Sequence, residues 1–571
     1  MPSENSLGRG GAMIRRFFLL IGLIFSICAA SWLTLYQLDL AKLATPLSLA
    51  EPPARGVILL VPLDSRPPCT KYVVKLARMA GVQVLMPPVE TLDDYHRPAN
   101  KAAIVSWMLQ HASQADAAII SVDMLLHGGL LASRQGVASA AETEKMFALL
   151  NEVHHRHPQL KLYAFSILPR LLIADNPNTE KYKQLMAEWS ILKETATTFE
   201  NPKDIQRLAT LESLIPSEMI ARYRKLYVDN RRVNQQLIFL TQSGVLTGLL
   251  LGQDDSAPFG LGNMERQRLE NLLAGNPALQ NKIFITRGTD EAALTLLSPV
   301  IQSSSVAQNK AFVYFTESHA AATIMPYMPR PLAQTVEEKL RIAAAETTTD
   351  LSAADYILVI HAGNRQSKAR HLAAEANNIR SWMKAGHQVA IVDLATDWIA
   401  EQTLLPHLRR AGVPIHQLLA YAGWNTASNS VGTAVTQATM ALCGRSASDL
   451  PTLLFRDMAR VEFLAERILD DWYYQKAYRH QLNDTLVRKR IDPYNLSQSR
   501  KQVENVINQQ LYGAHFQYIY SDWRNAEISL RPRYAESYAT GAWQIRSGLP
   551  WARTFEIYVD LHMSPARILH R

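Results

Sequence analysis

Cysteine is scarce in this chain: three in 571 residues, of which only Cys69 and Cys443 lie beyond the N-terminal apolar run. A disulfide framework is excluded at that number, and two unpaired buried thiols are expected. No CxxC or HExxH occurs, so the familiar zinc patterns are missing. The "HHRH" cluster at 154–157 puts His155 and His157 at the polar end of a helix before Pro158, and reads as a solvated terminus. No GxGxxG follows the first apolar run and there is no GxxxxGK[ST], so nucleotide chemistry has no motif to rest on. Charge of one sign never clusters: the net +8 is spread along the chain without a basic–aromatic stripe, which argues against nucleic acid as a partner. Internal repeats and low-complexity tracts are also lacking.

What is present begins with Arg9, Arg15 and Arg16 ahead of an uncharged stretch, "FFLLIGLIFSICAASWLTLY", at 17–36. It is long enough to span a bilayer, and the preceding arginines orient it with the N-terminus inside. The expectation is an inner-membrane anchor with the bulk of the chain periplasmic or otherwise extracytoplasmic. A cleaved signal peptide with secretion is the alternative, since "CAAS" offers small residues for cleavage. Residues 37–55, with Pro46, Pro52 and Pro53, read as a linker.

Beyond the linker, short apolar runs alternate with amphipathic stretches. Strands are predicted at Val57–Val61, Val82–Met86, Ala117–Val122, Leu162–Ile167, Leu246–Leu251, Lys282–Thr286, Ala311–Thr316, Tyr356–Ile360, Gln388–Val392 and Gln417–Tyr421. Continuous apolar strands separated by helices indicate an α/β fold with parallel sheets covered on both faces. Ten of them suit two doubly wound lobes or a modified barrel. The expected organisation is a first α/β region at 56–300, with a helical insertion near 179–242, and a second at 301–443. A helical and then mixed region follows at 444–571, with strands near Phe516–Tyr520 and Thr554–Val559.

Parallel α/β folds bind ligands beyond the carboxyl ends of their strands. Those ends carry "PLDSRPP", "DMLLHGGLLASR", "GQDDSAPFG", "RGTDE", "HAGN" and "AGWNTASN", whereas the opposite ends carry plain turns such as "RMAGVQ". Candidate catalytic residues are therefore Asp123, Asp254, Asp255, Asp290 and Glu291. Each has a plainer reading: Asp254 and Asp255 as caps of a helix starting near Asn263, Asp290 and Glu291 as N-cap and first-turn acid. Candidate substrate-binding residues are Asp64, Arg66, His127, Gly128, Gly129, Arg134, Trp424, Asn425 and Asn429. Arg66 and Arg134 suit an anion clamp, or structural pairs with Asp64 and Asp123. His127-Gly128-Gly129 reads as an oxyanion loop or a tight turn. Trp424, with Thr426 and the asparagines, suits a sugar face, or a buried indole beside an N-cap.

The blocks "PLDSRP", "SVDMLLHGGLLASR", "LGQDDSAP", "GTDEAALTLL", "YAGWNTASNSVGTA" and "LPWARTFEIYVDL" occur in that order. In them the chain resembles, over about residues 56–560, a bacterial family catalogued only as a domain of unknown function. The resemblance implies homology and site positions at these blocks, and no reaction. From the residues, the leading expectation is an exported hydrolase acting on a glycan or another small-molecule carbohydrate through paired carboxylates, with no cofactor and no metal. A metal-dependent hydrolase of phosphate or amide bonds, using Asp64, Asp123, Asp254, Asp255 and His361, is one alternative. A non-catalytic ligand-binding protein is the other. The expected partners are the substrate and, through the N-terminal helix, the membrane.

Overall fold

The structure is a computed structural model and describes residues 51–136, 138–173, 179–302, 308–524, 526–530 and 536–570. The expected anchor at 17–36 and most of the linker lie outside the described residues. Among the described residues, no helix is long and apolar enough to cross a membrane.

Two separate parallel sheets carry the fold, so the barrel alternative gives way to two doubly wound lobes. The first contains β1 (Val57–Val61), β2 (Gln83–Leu85), β3 (Ala117–Ser121), β4 (Lys161–Leu168), β5 (Gly248–Gln253) and β6 (Ile283–Arg287), in the order β2-β1-β3-β4-β5-β6. The second contains β7 (Lys310–Phe315), β8 (Glu346–Thr347), β9 (Tyr356–Gly363), β10 (Val389–Ala395) and β11 (Ala420–Ala422), in the order β11-β10-β9-β7-β8. In both, the first strand is flanked by the second on one side and the third on the other. Successive crossovers therefore diverge at β1/β3 and at β7/β9, and a crevice opens at each divergence. Strand β8, only two residues long, has no counterpart among the sequence-predicted strands.

The strands read as unbroken apolar runs because helices cover both faces. β3 and β5 are buried along their whole length. Local signals fix several helix starts. Ser139 and Glu142 form a reciprocal capping box on the helix Ala140–Arg156. Asn201 caps the helix Pro202–Leu214 with proline in its first turn, which is how "NPKD" breaks and restarts the chain. The described residues between β4 and β5 include three α-helices, Lys183–Phe199, Pro202–Leu214 and Ser217–Gln242, with a small core of their own around Trp189, Tyr223 and Tyr227.

After β11 the chain is mostly helical to Trp523, broken by a loop at 489–496, then adds an antiparallel sheet of β12 (Glu527–Ser529), β13 (Glu536–Gly548) and β14 (Tyr558–His570). The strand expected at Phe516–Tyr520 is instead a π-helical continuation, His515–Tyr520, of the helix Arg500–Ala514. A short apolar run does not distinguish the two, and here Ile519 is buried from a helical backbone. The strand expected at 554–559 begins only at Tyr558, because residues 549–557 leave the sheet as a loop toward the first lobe. The helix Leu450–Arg467 likewise widens to π-helix over Ile468–Tyr478.

Candidate active site

The prolines after β1 end the strand and start a helix. The carbonyl of Pro67 accepts from Tyr72 N at 2.9 Å, at the start of the helix Lys71–Met79. This turn directs Asp64 and Arg66 inward. Asp64 is wholly buried and holds Arg66 twice over: one carboxylate oxygen accepts from the Arg66 backbone N at 3.0 Å, the other from Nε at 3.0 Å and Nη2 at 2.6 Å. The same guanidinium donates to Asp290 at 2.6 Å and to Glu556 at 3.2 Å, and lies 5.0 Å from the centre of the Trp551 ring. Arg66 thereby joins the β1 end, the β6 end and the loop between β13 and β14.

Asp290 follows β6 and is 5 % exposed. Besides Arg66, it accepts from Asn429 Nδ2 at 3.0 Å and Asn425 Nδ2 at 3.4 Å. Both asparagines follow β11, so the second lobe reaches across to an acid of the first. Thr426 caps the helix Ala427–Gly444 and its hydroxyl donates to Asn429 Oδ1 at 2.7 Å, which turns the Asn429 amide N–H toward Asp290. Asn425 adopts φ 53°, a left-handed conformation that asparagine tolerates better than most residues. Burial opposes the charge on Asp290, but the Arg66 guanidinium, then Arg134 and the Asn429 amide, outweigh it and hold the carboxyl below its usual range.

The β5 end supplies three consecutive polar residues. Asp254 is clamped by Arg134, whose Nε and Nη2 donate to one oxygen at 2.9 and 2.5 Å. Its other oxygen accepts from Asp255 N at 2.8 Å. Neither acid caps the following helix: Leu261–Ala274 starts at Gly260, whose N–H donates to Glu194. Among the described residues no hydrogen bond reaches the Asp255 carboxyl. Burial, then the neighbouring Asp254 charge, push it up to about 7 against the opposing pull of Arg134 and Arg170. Gln253, just before them, is 1 % exposed, and neither end of its amide has a partner among the described residues.

Gln253, Asp254, Asp255 and Asp290 line one cavity of about 920 Å3. Its walls come from both lobes and the C-terminal region: Arg66, Arg134 and Arg170, then Asn425 and Asn429, then Gln475, Arg479, Trp551, Arg553 and Phe555. Aromatic rings open to it are Tyr95, Tyr327, Trp398, Tyr494 and Phe555; Trp551 lies in the wall, buried under the Arg66 and Arg553 guanidinium groups. Trp424 is not one of them. It is 4 % exposed, its carbonyl accepting from Ser430 Oγ, and the stacking surface belongs to residues far away in sequence.

Other sequence candidates stand outside this cavity. Asp123 and His127 line a neighbouring cavity of about 640 Å3, which shares Leu130, Arg134 and Asp254 with the first. Burial raises Asp123 to about 7 although it accepts from Ile167 N, and burial with Lys101 lowers His127 to about 4. Gly128 (φ 83°) ends the short helix Val122–His127, and Gly129 turns the chain into Leu130–Ser133, which delivers Arg134. Glu291 points into the protein and pairs with Lys339 at 2.8 Å and Ser428 at 2.7 Å. His361 sits at the second crevice between Thr316 Oγ1 at 2.8 Å, Glu317 at 3.3 Å and the Gln402 carbonyl at 2.7 Å, and its pairs there are internal to the lobe.

The ligating atoms of Asp64, Cys69 and Asp290 lie within 4.8 Å of one another. Arg66 Nη2 is 2.6 Å from both carboxylates, so a guanidinium already occupies the place where a cation would sit, and the trio does not suit a metal. Cys69 and Cys443 are both buried free thiols.

A family model described as "Protein of unknown function (DUF4127)" matches residues 58–560. The chain belongs to the DUF4127 family. Within this DUF4127 chain the match runs from β1 into β14, and so takes in every element that lines the large cavity. No curated protein matches it. Among solved structures, one titled the first ketoreductase of the tylosin PKS is similar at 13 % identity, over 67 % of this chain and 74 % of its own, with a TM-score of 0.15. At that score the likeness carries no argument about fold or function.

Proposed function

We propose that the protein is a hydrolase of glycosidic bonds, with Asp255 as general acid and Asp290 as the ionised partner. The observation that carries this reading is the opposed state of two carboxyls in one cavity. Asp255 is raised to about 7, and so keeps its proton near neutrality; Asp290 is held charged by Arg66 and two asparagines. Pairs of acids pushed apart in this way divide the work of glycoside cleavage. Asp255 protonates the bridging oxygen as the bond from the anomeric carbon breaks. Asp290 then attacks that carbon, or takes a proton from the water that does. Arg134 holds Asp254 in an ion pair beside the acid, and the half-exposed ring of Trp398 offers a sugar face a surface.

The test uses the purified full chain in detergent with a panel of neutral and acidic oligosaccharides, reading reducing ends. Release is expected from at least one glycan, and loss of it in Asp255→Asn and Asp290→Asn. Glycan binding with cleavage rates unchanged by either substitution refutes the assignment. Activity that vanishes with chelator and returns with a divalent ion places the chemistry on a metal instead. The charge asymmetry around 17–36 supports an extracytoplasmic location for this site. A C-terminal reporter active only in the cytoplasm contradicts it.

A further inference from the structure

Two groups in the large cavity have polar edges that the protein leaves unused. Gln253 is buried at the carboxyl end of β5 with both the N–H2 and the carbonyl of its amide unpartnered among the described residues. A buried amide left so costs stability unless something else takes its hydrogen bonds. Arg479, at the end of the π-helical stretch, is the second. Its Nη1 donates to the Phe555 carbonyl at 3.3 Å, and its Nε is buried without a partner among the described residues. Among the described residues no carboxylate lies within ion-pair distance of it. Desolvation accordingly pulls its pKa down. Three other arginines at the wall differ: Arg66 is shared among Asp64, Asp290 and Glu556, Arg134 is taken by Asp254, and Arg553 by Glu556, while Arg170 donates from Nη2 to the Ile173 carbonyl at 3.3 Å.

With Nη1 engaged, the free edge of Arg479 is the Nε–Nη2 side. That edge presents two parallel N–H groups, the spacing that a carboxylate fills with two hydrogen bonds. Gln253 offers one donor and one acceptor, which suits a hydroxyl or an amide on a sugar ring. We propose that the substrate is an acidic sugar, its carboxylate taken by Arg479 and a ring hydroxyl or acylamino group by Gln253. This rests on the glycoside reading above and adds the substrate class. Neither residue touches the bond that breaks; both fix which glycan is held against Asp255 and Asp290.

The test is binding of monosaccharides to the full chain, read by ligand-observed NMR titration, which does not depend on cleavage. The probes are glucose, glucuronic acid, N-acetylmuramic acid and N-acetylneuraminic acid, whose carboxylates sit at different places on the sugar. At least one acid is expected to bind about tenfold or more tighter than glucose, as a charge-assisted pair supplies. Which acid wins identifies the source of the carboxylate. Arg479→Gln should abolish that preference, bringing the acid down to the affinity of glucose; Arg479→Lys should keep part of it. Gln253→Leu should weaken glucose and acid alike. Equal binding of all four sugars, no binding of any, or a preference that survives Arg479→Gln overturns the inference. The two readings fail separately. Cleavage lost in Asp255→Asn without any acid preference leaves the hydrolase and removes the acidic substrate. Acid preference through Arg479 with no glycan cleaved leaves a binder of acidic sugars and removes the hydrolase.

Discussion

Replacing either member of the proposed acid pair should abolish turnover, yet the two replacements should move stability in opposite directions. Asp255 is poorly solvated, surrounded by negative charge from Asp254 and Asp290, and reached by no hydrogen-bond donor among the described residues. Its carboxyl titrates near 7 when folded, against 3.8 for an ordinary solvated Asp. Between those values the folded chain binds the extra proton, so stability falls as pH rises from about 4 to about 7 and levels off above it. The full gap is worth at most about 4 kcal/mol. Asp255 is partly exposed to the cavity, and water there reduces the effect to about 2 kcal/mol. Asp255→Asn removes that penalty. At pH 8 the variant should melt a few degrees above the parent, and at pH 4 at the same temperature as it.

Asp290→Asn does the reverse. It strips a charged acceptor from a buried guanidinium, and breaking a buried pair costs about 3–5 kcal/mol. The parent and both variants are compared by thermal unfolding at pH 4, 6 and 8, alongside circular dichroism at 20 °C. If Asp255→Asn lowers the melting temperature at pH 8 as Asp290→Asn does, then Asp255 is a paired anion in the folded state. The acid assignment would then be refuted whatever happens to turnover.

Other outcomes follow from the same geometry. The pH profile of kcat/KM should fall as pH rises through about 7, where Asp255 loses its proton, while activity persists well into acid because Asp290 stays charged there. Asn429→Ala removes the 3.0 Å donor to Asp290, so its pKa should rise and the acidic limb of that profile should move to higher pH, with the alkaline limb unmoved. Arg66→Met leaves the buried Asp64 and Asp290 without their shared cation, Glu556 keeping Arg553; a loss of about 3–5 kcal/mol is expected in denaturant unfolding. Thiol titration should find Cys69 and Cys443 unreactive in the native chain and both free after denaturation.

The sequence by itself determined the layering. Runs such as Val57–Val61 and Tyr356–Ile360 are apolar along their length because both faces are covered, and that requirement is local enough to be legible residue by residue. The asymmetry of the loops was legible for the same reason: Asp64, Asp254, Asp255 and Asp290 follow strands directly, and a parallel sheet puts those ends on one side. Tertiary structure alone decided which loops meet. Glu556 reaches Arg66 across 490 positions of chain, and Asn429 reaches Asp290 across 139. No periodicity encodes such a meeting, because it depends on how two lobes and a C-terminal loop pack. The same limit explains Trp424 and Trp398. Both are indoles at turns with polar neighbours, and composition makes Trp424 look the better sugar platform. Packing buries Trp424 behind its helix and leaves Trp398 half-buried at the cavity wall. Gln253 shows it at the scale of one residue. Its place before two aspartates was visible, but only the folded cavity reveals an amide whose hydrogen bonds the chain does not supply.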